Sequence, residues 1–231
     1  MKLVDISYFC KGSQSSLSEW SKIKESQNVL NNNNYEYAFH TAFEEEPWFC
    51  IELPHETSVY ELVIHNRRNP KFYSVCKYIS VFISLDGKKW DKVHVNDENY
   101  GFGEKALKID LIGDKKCKFI KICNKNNYLY ASRINIFVNK NDNSGITILS
   151  DRRDGLCQRV IGMLETMAVA DYFGFNFGFT WVNNKEDNHF HDVKKVGDMF
   201  SRSFIDSHYI SDGVKKRIRF GDVFFTPSAK E

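Results

Sequence analysis

The amino-acid sequence predicts an all-β antiparallel sandwich followed by a short α/β segment. Three observations carry that prediction. From residue 50 to about 138, apolar side chains recur at every second position in short runs separated by turns. A polar, turn-rich stretch, NKNDNSG (139–145), then interrupts the pattern with no apolar anchor. Beyond it, strand-like and helix-like periods alternate, as they do in units built on parallel strands.

In the first half, IELP and ELVIH read as inner strands, and Trp48, Phe49 and Ile51 as the start of the core. ISVFISL alternates Ile79, Val81, Ile83 and Leu85 against Ser80, Phe82 and Ser84. Asp86-Gly87 makes the turn, and Trp90, Val93 and Val95 carry the return strand. KALKIDL places Leu107, Ile109 and Leu111 on one face, KFIKI reads as another inner strand, and RINIFV aligns Ile134, Ile136 and Val138. Several short strands with turns between them are the pattern of an antiparallel sandwich.

In the second half, ITILS reads as a strand, DRRDG as a tight loop and Leu156 to Phe173 as a helix. Leu156, Val160, Leu164 and Met167 recur at helical spacing, Asp154 is placed to cap the start, and Gly174 ends the helix. FGFTWV (177–182) is the next strand. The division is therefore a β domain over 1–140, a linker over 141–145 and an α/β segment over 146–231, short for a doubly wound domain.

Composition narrows the function. The 231 residues are 42% apolar and 15% aromatic, with a net charge of +2, which suits a globular β-prone chain and gives no basic stripe for nucleic acid. KKRIR near the end is too short to change that and reads as a solvated face. The start, MKLVDISYF, lacks a signal-peptide core, and no segment reaches the length of a membrane span, so a cytoplasmic location is expected. Cys10, Cys50, Cys76, Cys117, Cys123 and Cys157 show no CxxC pair and no metal-ligand spacing, and are expected to be buried, reduced thiols.

The runs SQSSLSEW, NVLNNNN, FHTAFEEEPWFCIEL, VYELVIHNRRN and VFISLDGKKW resemble a discoidin, or coagulation-factor type C, domain, and within that group the fucolectins and carbohydrate-binding modules. The resemblance covers about residues 10 to 138 and implies an eight-stranded jelly roll with ligand loops at one end. It carries the sugar-bonding histidine and arginine onto His40 and Arg67, with Arg68 and Lys77 as imperfect substitutes for a second arginine. An arginine fork and a neutral imidazole suit vicinal hydroxyls, because together they supply directional donors and an acceptor. The plainer alternatives are a surface histidine satisfied by Glu44, Glu45 or Glu46, and an arginine that clamps its own loop. The resemblance also implies a structural calcium at Asn28, Asn31 and Asn33. Here an expected carboxylate has become Asn31, and Arg133 stands where a late glutamate would, so no metal or other cofactor is expected.

ILSDRRDGLCQRVIGMLETMAVADYFGFNFGFTWV resembles the opening strand, loop and helix of GT-B glycosyltransferases related to the fucosyltransferases. That carries an acceptor or phosphate loop onto Arg152, Arg153, Asp154, Gly155 and Arg159. Alternatively, Asp154 caps the helix, Arg159 faces solvent and the other two arginines are wet. FSRSFIDSHYI resembles the loop and helix that follow, and HFHDV reads as a polar surface loop. No HxRxGD-like donor motif appears before FFTPSAKE, and no catalytic residue is assigned, which leaves enzymatic activity open. The resulting expectation is a carbohydrate-binding module fused to the acceptor-side part of a sugar transferase of bacterial surface polysaccharide synthesis, either a homodimer or lacking a C-terminal domain. The alternative is a non-catalytic protein whose discoidin domain binds a protein or a lipid headgroup.

Overall fold

The computed structural model describes residues 1–21, 25–31, 35–95, 106–111, 113, 115–143, 145–151, 155–181 and 195–210. The chain divides into two units, Met1–Asn143 and Ser144–Glu231. The first contains strands β1 (Leu3–Asp5), β2 (Lys11–Gln14), β3 (Phe39–His40), β4 (Trp48–His65), β5 (Ser80–Ser84), β6 (Asp91–Val95), β7 (Leu107–Asp110), β8 (Lys116–Cys123), β9 (Tyr130–Ala131) and β10 (Arg133–Asn139), with a single helical turn α1 (Glu25–Asn28).

Its organising element is β4, which is one long strand where the sequence suggests two. The register shifts between Glu52 and Thr57. Before the shift β4 pairs with β2 and β8, and β8 leads on to β5 and β6. After it β4 pairs with β10 and β7, and β10 with β1. All of these contacts are antiparallel, and together they form the sheets of a β-sandwich joined through β4. Rows of inward side chains run straight across the strands: Phe49 opposite Ile122, which lies opposite Val81, and Ile51 opposite Ile120, which lies opposite Ile83. Leu62 aligns with Ile136 and Ile109 in the same way. All of these side chains are buried. This period-two burial is what drives the fold, since each buried aliphatic or aromatic side chain contributes about 1.5–3 kcal/mol.

Four of the expected core positions are corrected. Leu85 is 53% exposed because the chain has already entered the Asp86-Gly87 turn. There the Asp86 carboxylate accepts hydrogen bonds from the N–H groups of Lys88 and Lys89, and Gly87 takes φ +71°. Val93 has no partner on β5, since a bulge sets Phe82 opposite Lys92 and Val81 opposite His94; it and Val95 point outward. Trp48 is half-buried, opposite Cys123, and Phe49 is the residue that fills the core. Of the thiols, Cys10, Cys76, Cys117 and Cys123 are buried, whereas Cys50 is half-buried and Cys157 exposed; none is bridged. Burial pushes the Cys76 thiol up to about 12.

The second unit contains β11 (Thr147–Ser150), α2 (Leu156–Phe173), β12 (Asn176–Phe179), α3 (Val196–Met199) and α4 (Arg202–His208). β11 and β12 are parallel, and α2 is the connection between them. The helix spans the residues that its pattern predicts, and Gly174 ends it at φ +78°, a left-handed conformation that a glycine adopts without strain. Its start differs from the expectation. Gly155 is the N-cap and no side chain caps the first turn, while Asp154 lies outside the described residues.

The buried face of α2 also differs. Arg159, Gly162, Met163, Thr166 and Ala170 face inward, whereas Leu156 and Leu164 are exposed. Small residues at 162, 166 and 170 let the helix lie close to its neighbours, and the Thr166 hydroxyl donates to the Gly162 carbonyl, 2.6 Å away. Met163, Phe179 and Trp181 form the core of this unit, lined by Phe177, Phe200, Phe204 and Tyr209. No helix among the described residues is long and apolar enough to cross a membrane.

Candidate functional site

At one end of the sandwich, loops and two short strands bring His40 and Arg67 onto the same aromatic rings. β3 pairs with β9, setting Phe39 opposite Ala131 and His40 opposite Tyr130. Alternation sends Phe39 to the core, against Phe49 at 4.4 Å between ring centroids, and His40 to the other side. His40 is only 2% exposed and is boxed by Trp20, Tyr37, Tyr128 and Tyr130, with centroid separations of 5.3, 5.5, 5.3 and 5.1 Å.

The surface-histidine alternative is thereby excluded. The carboxyl group at His40 is Glu25, itself buried, which accepts the backbone N–H of His40 at 2.9 Å. The Glu44–Glu46 turn instead bonds through its backbone to Asn126 and Asn127. Ser21 and Gln14 donate to the His40 carbonyl, so the end of β2, the loop after it and α1 are all tied at this one residue.

The protonation of His40 follows from its surroundings. Its Nδ1 lies 2.8 Å from the Thr41 carbonyl oxygen, which can only accept, so Nδ1 carries the proton. Burial holds the ring below the usual histidine range, the nearby Arg67 charge acts in the same direction, and the Thr41 bond opposes both. A neutral ring with Nδ1 protonated presents Nε2 as an acceptor, and no described residue bonds to that nitrogen.

Arg67 leaves the end of β4 with its backbone N–H held by the Asn66 side chain at 2.8 Å. Its guanidinium lies over Phe72 at 4.0 Å, Tyr37 at 4.7 Å and Tyr130 at 5.8 Å, and Nε donates to Glu36 at 2.7 Å. The Tyr130 hydroxyl donates to the Phe72 carbonyl at 2.5 Å, which fixes the ring that both Arg67 and His40 touch. Clamped in this way, Arg67 still has both terminal nitrogens unbonded by any described residue. The arginine is therefore locked into its loop, as the plainer alternative expects, with its fork left unbonded by any described residue.

Arg68 is exposed and donates its backbone N–H to the Glu36 carbonyl at 3.0 Å. Lys77 is half-buried, on a loop that Asn124 pins to Tyr128 by donating to the carbonyls of Val75 and Tyr128. Sequence reading passed over Trp20, Tyr37, Phe43, Phe72, Tyr128, Tyr130 and Glu36. Trp20 is 48% and Phe43 63% exposed, and the two rings flank Tyr128 at 5.9 and 5.5 Å. The aromatic alternation in NYLYA was the available signal.

Beside the Asn28–Asn31 turn, the Arg133 guanidinium lies 3.9 Å from the Asp5 carboxylate. The backbone of the next residue, Ile134, bonds the Val29 carbonyl. Asn33 lies outside the described residues, and among these no cluster of three or more His, Cys, Asp or Glu side chains could hold a metal.

In the second unit, Arg152, Arg153, Asp154 and the HFHDV segment lie outside the described residues. Gly155 opens α2. Arg159 does not face solvent: it is 3% exposed, with its guanidinium 5.2 Å from the Trp181 ring. Beside it the Thr180 hydroxyl donates to Asp151 at 2.6 Å, joining the carboxyl ends of β11 and β12.

No sequence-family model and no curated protein matches the chain. Solved structures do. A Clostridium perfringens domain, CpGH89CBM32-5, solved in complex with GalNAc-β-1,3-galactose, is 14% identical with a TM-score of 0.50, covering 58% of this chain and 100% of its own. The lectin domain of lectinolysin, complexed with Lewis B antigen, is 19% identical with a TM-score of 0.51, covering 59% and 97%. At these identities the likeness is one of fold: the sheets are those of a discoidin-like β-sandwich, as in CBM32 and lectin domains.

Proposed function

We propose that the β-sandwich unit is a carbohydrate-binding module whose ligand sits on the rim formed by Arg67, His40, Trp20 and Phe43. One observation carries the reading: a clamped guanidinium with its fork open and a neutral imidazole with an open acceptor share Tyr37 and Tyr130. Adjacent sugar hydroxyls need such a pairing, since one oxygen can accept from the fork while its neighbour donates to Nε2. The exposed Trp20 and Phe43 rings add apolar surface for the C–H face of a pyranose. What the fold neighbours were solved with supports the same ligand class. Calorimetric titration against a glycan panel, with Trp20→Ala alongside wild type, tests it. Sugar binding that weakens in the variant is expected; a panel that gives no binder leaves the protein or lipid-headgroup alternative in its place.

For the second unit we extend the proposal to the acceptor-side opening of a bacterial sugar transferase, with Arg152, Arg153, Asp154 and Gly155 at the loop. The parallel β11–α2–β12 arrangement supports it, because ligands of α/β units collect where the strands end and the helix begins. Arg159, from the same stretch, is buried with its guanidinium beside the Trp181 ring. Saturation-transfer NMR with candidate acceptor glycans checks this part, with Arg153→Ala as the control.

A further inference from the structure

We propose that Glu36 makes the rim site select neutral glycans over carboxylated or sulfated ones; this rests on Arg67 being a sugar-contacting group. An arginine can take a carboxylate or sulfate along its Nε edge or across its two terminal nitrogens. The first edge is occupied here, since Glu36 Oε1 accepts from Nε at 2.7 Å. The remaining edge fits two neighbouring hydroxyls, but an anion placed there meets a like charge on the same guanidinium.

Neither partner can move away. Arg67, with 16% of its side chain exposed, is held against Phe72, Tyr37 and Tyr130, and the Glu36 backbone is held by the Arg68 N–H. Glu36 itself keeps 48% of its side chain exposed, so its charge is presented to whatever approaches the fork. A second carboxyl group, Glu25, lies under His40. The other cations of the rim are Arg68, exposed and screened as Glu36 is, and Lys77, half-buried on its own loop. The pair therefore presents directed donors with little net positive charge, which favours hydroxyl ligands.

The test compares galactose and N-acetylgalactosamine with galacturonic acid and 3-O-sulfated galactose, on wild type and Glu36→Gln. Glutamine keeps an oxygen for Nε but removes the charge, so Arg67 stays in place. Wild type should bind the neutral sugars at least about 5-fold more tightly than the acidic ones. Glu36→Gln should close most of that gap, read as the ratio of neutral-sugar to acidic-sugar affinity. Equal binding of acidic and neutral sugars by wild type, or an unchanged ratio in Glu36→Gln, overturns the charge filter alone. Absence of binding to any of the four sugars defeats the carbohydrate reading itself, and this inference with it.

Discussion

β4 in the first unit and α2 in the second are both 18 residues long, and they answer sequence reading in opposite ways. Along β4 the buried positions, Thr57 apart, are the apolar ones that alternation selects, Phe49, Ile51, Leu53, Val59, Leu62 and Ile64. Along α2 the obvious apolar residues Leu156, Ile161 and Leu164 are outside, while an arginine, a glycine and a threonine are inside. A strand has two faces and a strict period, so hydrophobicity alone sets its orientation. A helix docked closely on a small sheet is positioned partly by what lets backbones approach, and hydropathy does not record that.

The sharpest way to break this contrast is truncation on each element. Phe49→Ala should cost about 3–5 kcal/mol, because it empties a fully buried site against Phe39. Leu164→Ala, on the 61% exposed position of α2, should stay within about 0.5 kcal/mol. Hydrogen exchange on amides of β8 and of α2 reads the two effects separately. A loss at Leu164 comparable to that at Phe49 would show that the outer face of α2 is covered in solution.

Next in size is Arg159→Ala, expected to cost roughly 2 kcal/mol or more in the second unit through lost packing on Trp181. Protection of α2 against exchange reports it; an unaffected helix would return Arg159 to solvent.

A smaller effect is pH-dependent. The neutral His40 accepts through Nε2, and its proton affinity is held below the ordinary value of 6.5 by burial, so sugar binding should be flat from pH 8 to 6.5 and fall only in more acid solution. Stability moves in the same direction. The unfolded chain takes up the proton first, so the contribution present above pH 6.5 is lost as pH falls through the folded value. His65 and His94, also lowered by burial, add to the stability change, so the binding curve is the readout specific to His40. Binding that strengthens below pH 6.5 would mean the imidazole acts as a donor.

The smallest expected effect is that of calcium: thermal melts with calcium and with chelator should superimpose. A calcium-dependent rise in Tm would show that the Asn28–Asn31 turn holds the ion despite its missing carboxylates.

The sandwich was legible because its strands alternate, and short local motifs were enough to single out His40 and Arg67, the two residues the fold brings onto shared rings. What was not legible is the means by which they are held. Tyr130 is 63 residues from Arg67 along the chain yet touches both site residues, and Glu25 reaches His40 from a helical turn 15 residues away. Such contacts arise only when β3 meets β9 and α1 folds beneath them. The solvent-facing alternative for Arg159 failed for a related reason, since a charged side chain reads as solvated until Trp181 is placed beside it.

The most direct test of the central claim is titration of a neutral galactose-type glycan into wild type, Arg67→Lys and Arg67→Ala. Wild type should bind with a Kd on the order of 0.1–1 mM, as shallow polar sites do. Arg67→Lys, which keeps the charge but loses the planar fork, should weaken binding about 10-fold, and Arg67→Ala should abolish it, while the sandwich core keeps its hydrogen-exchange protection. Unchanged affinity in both variants would contradict the account.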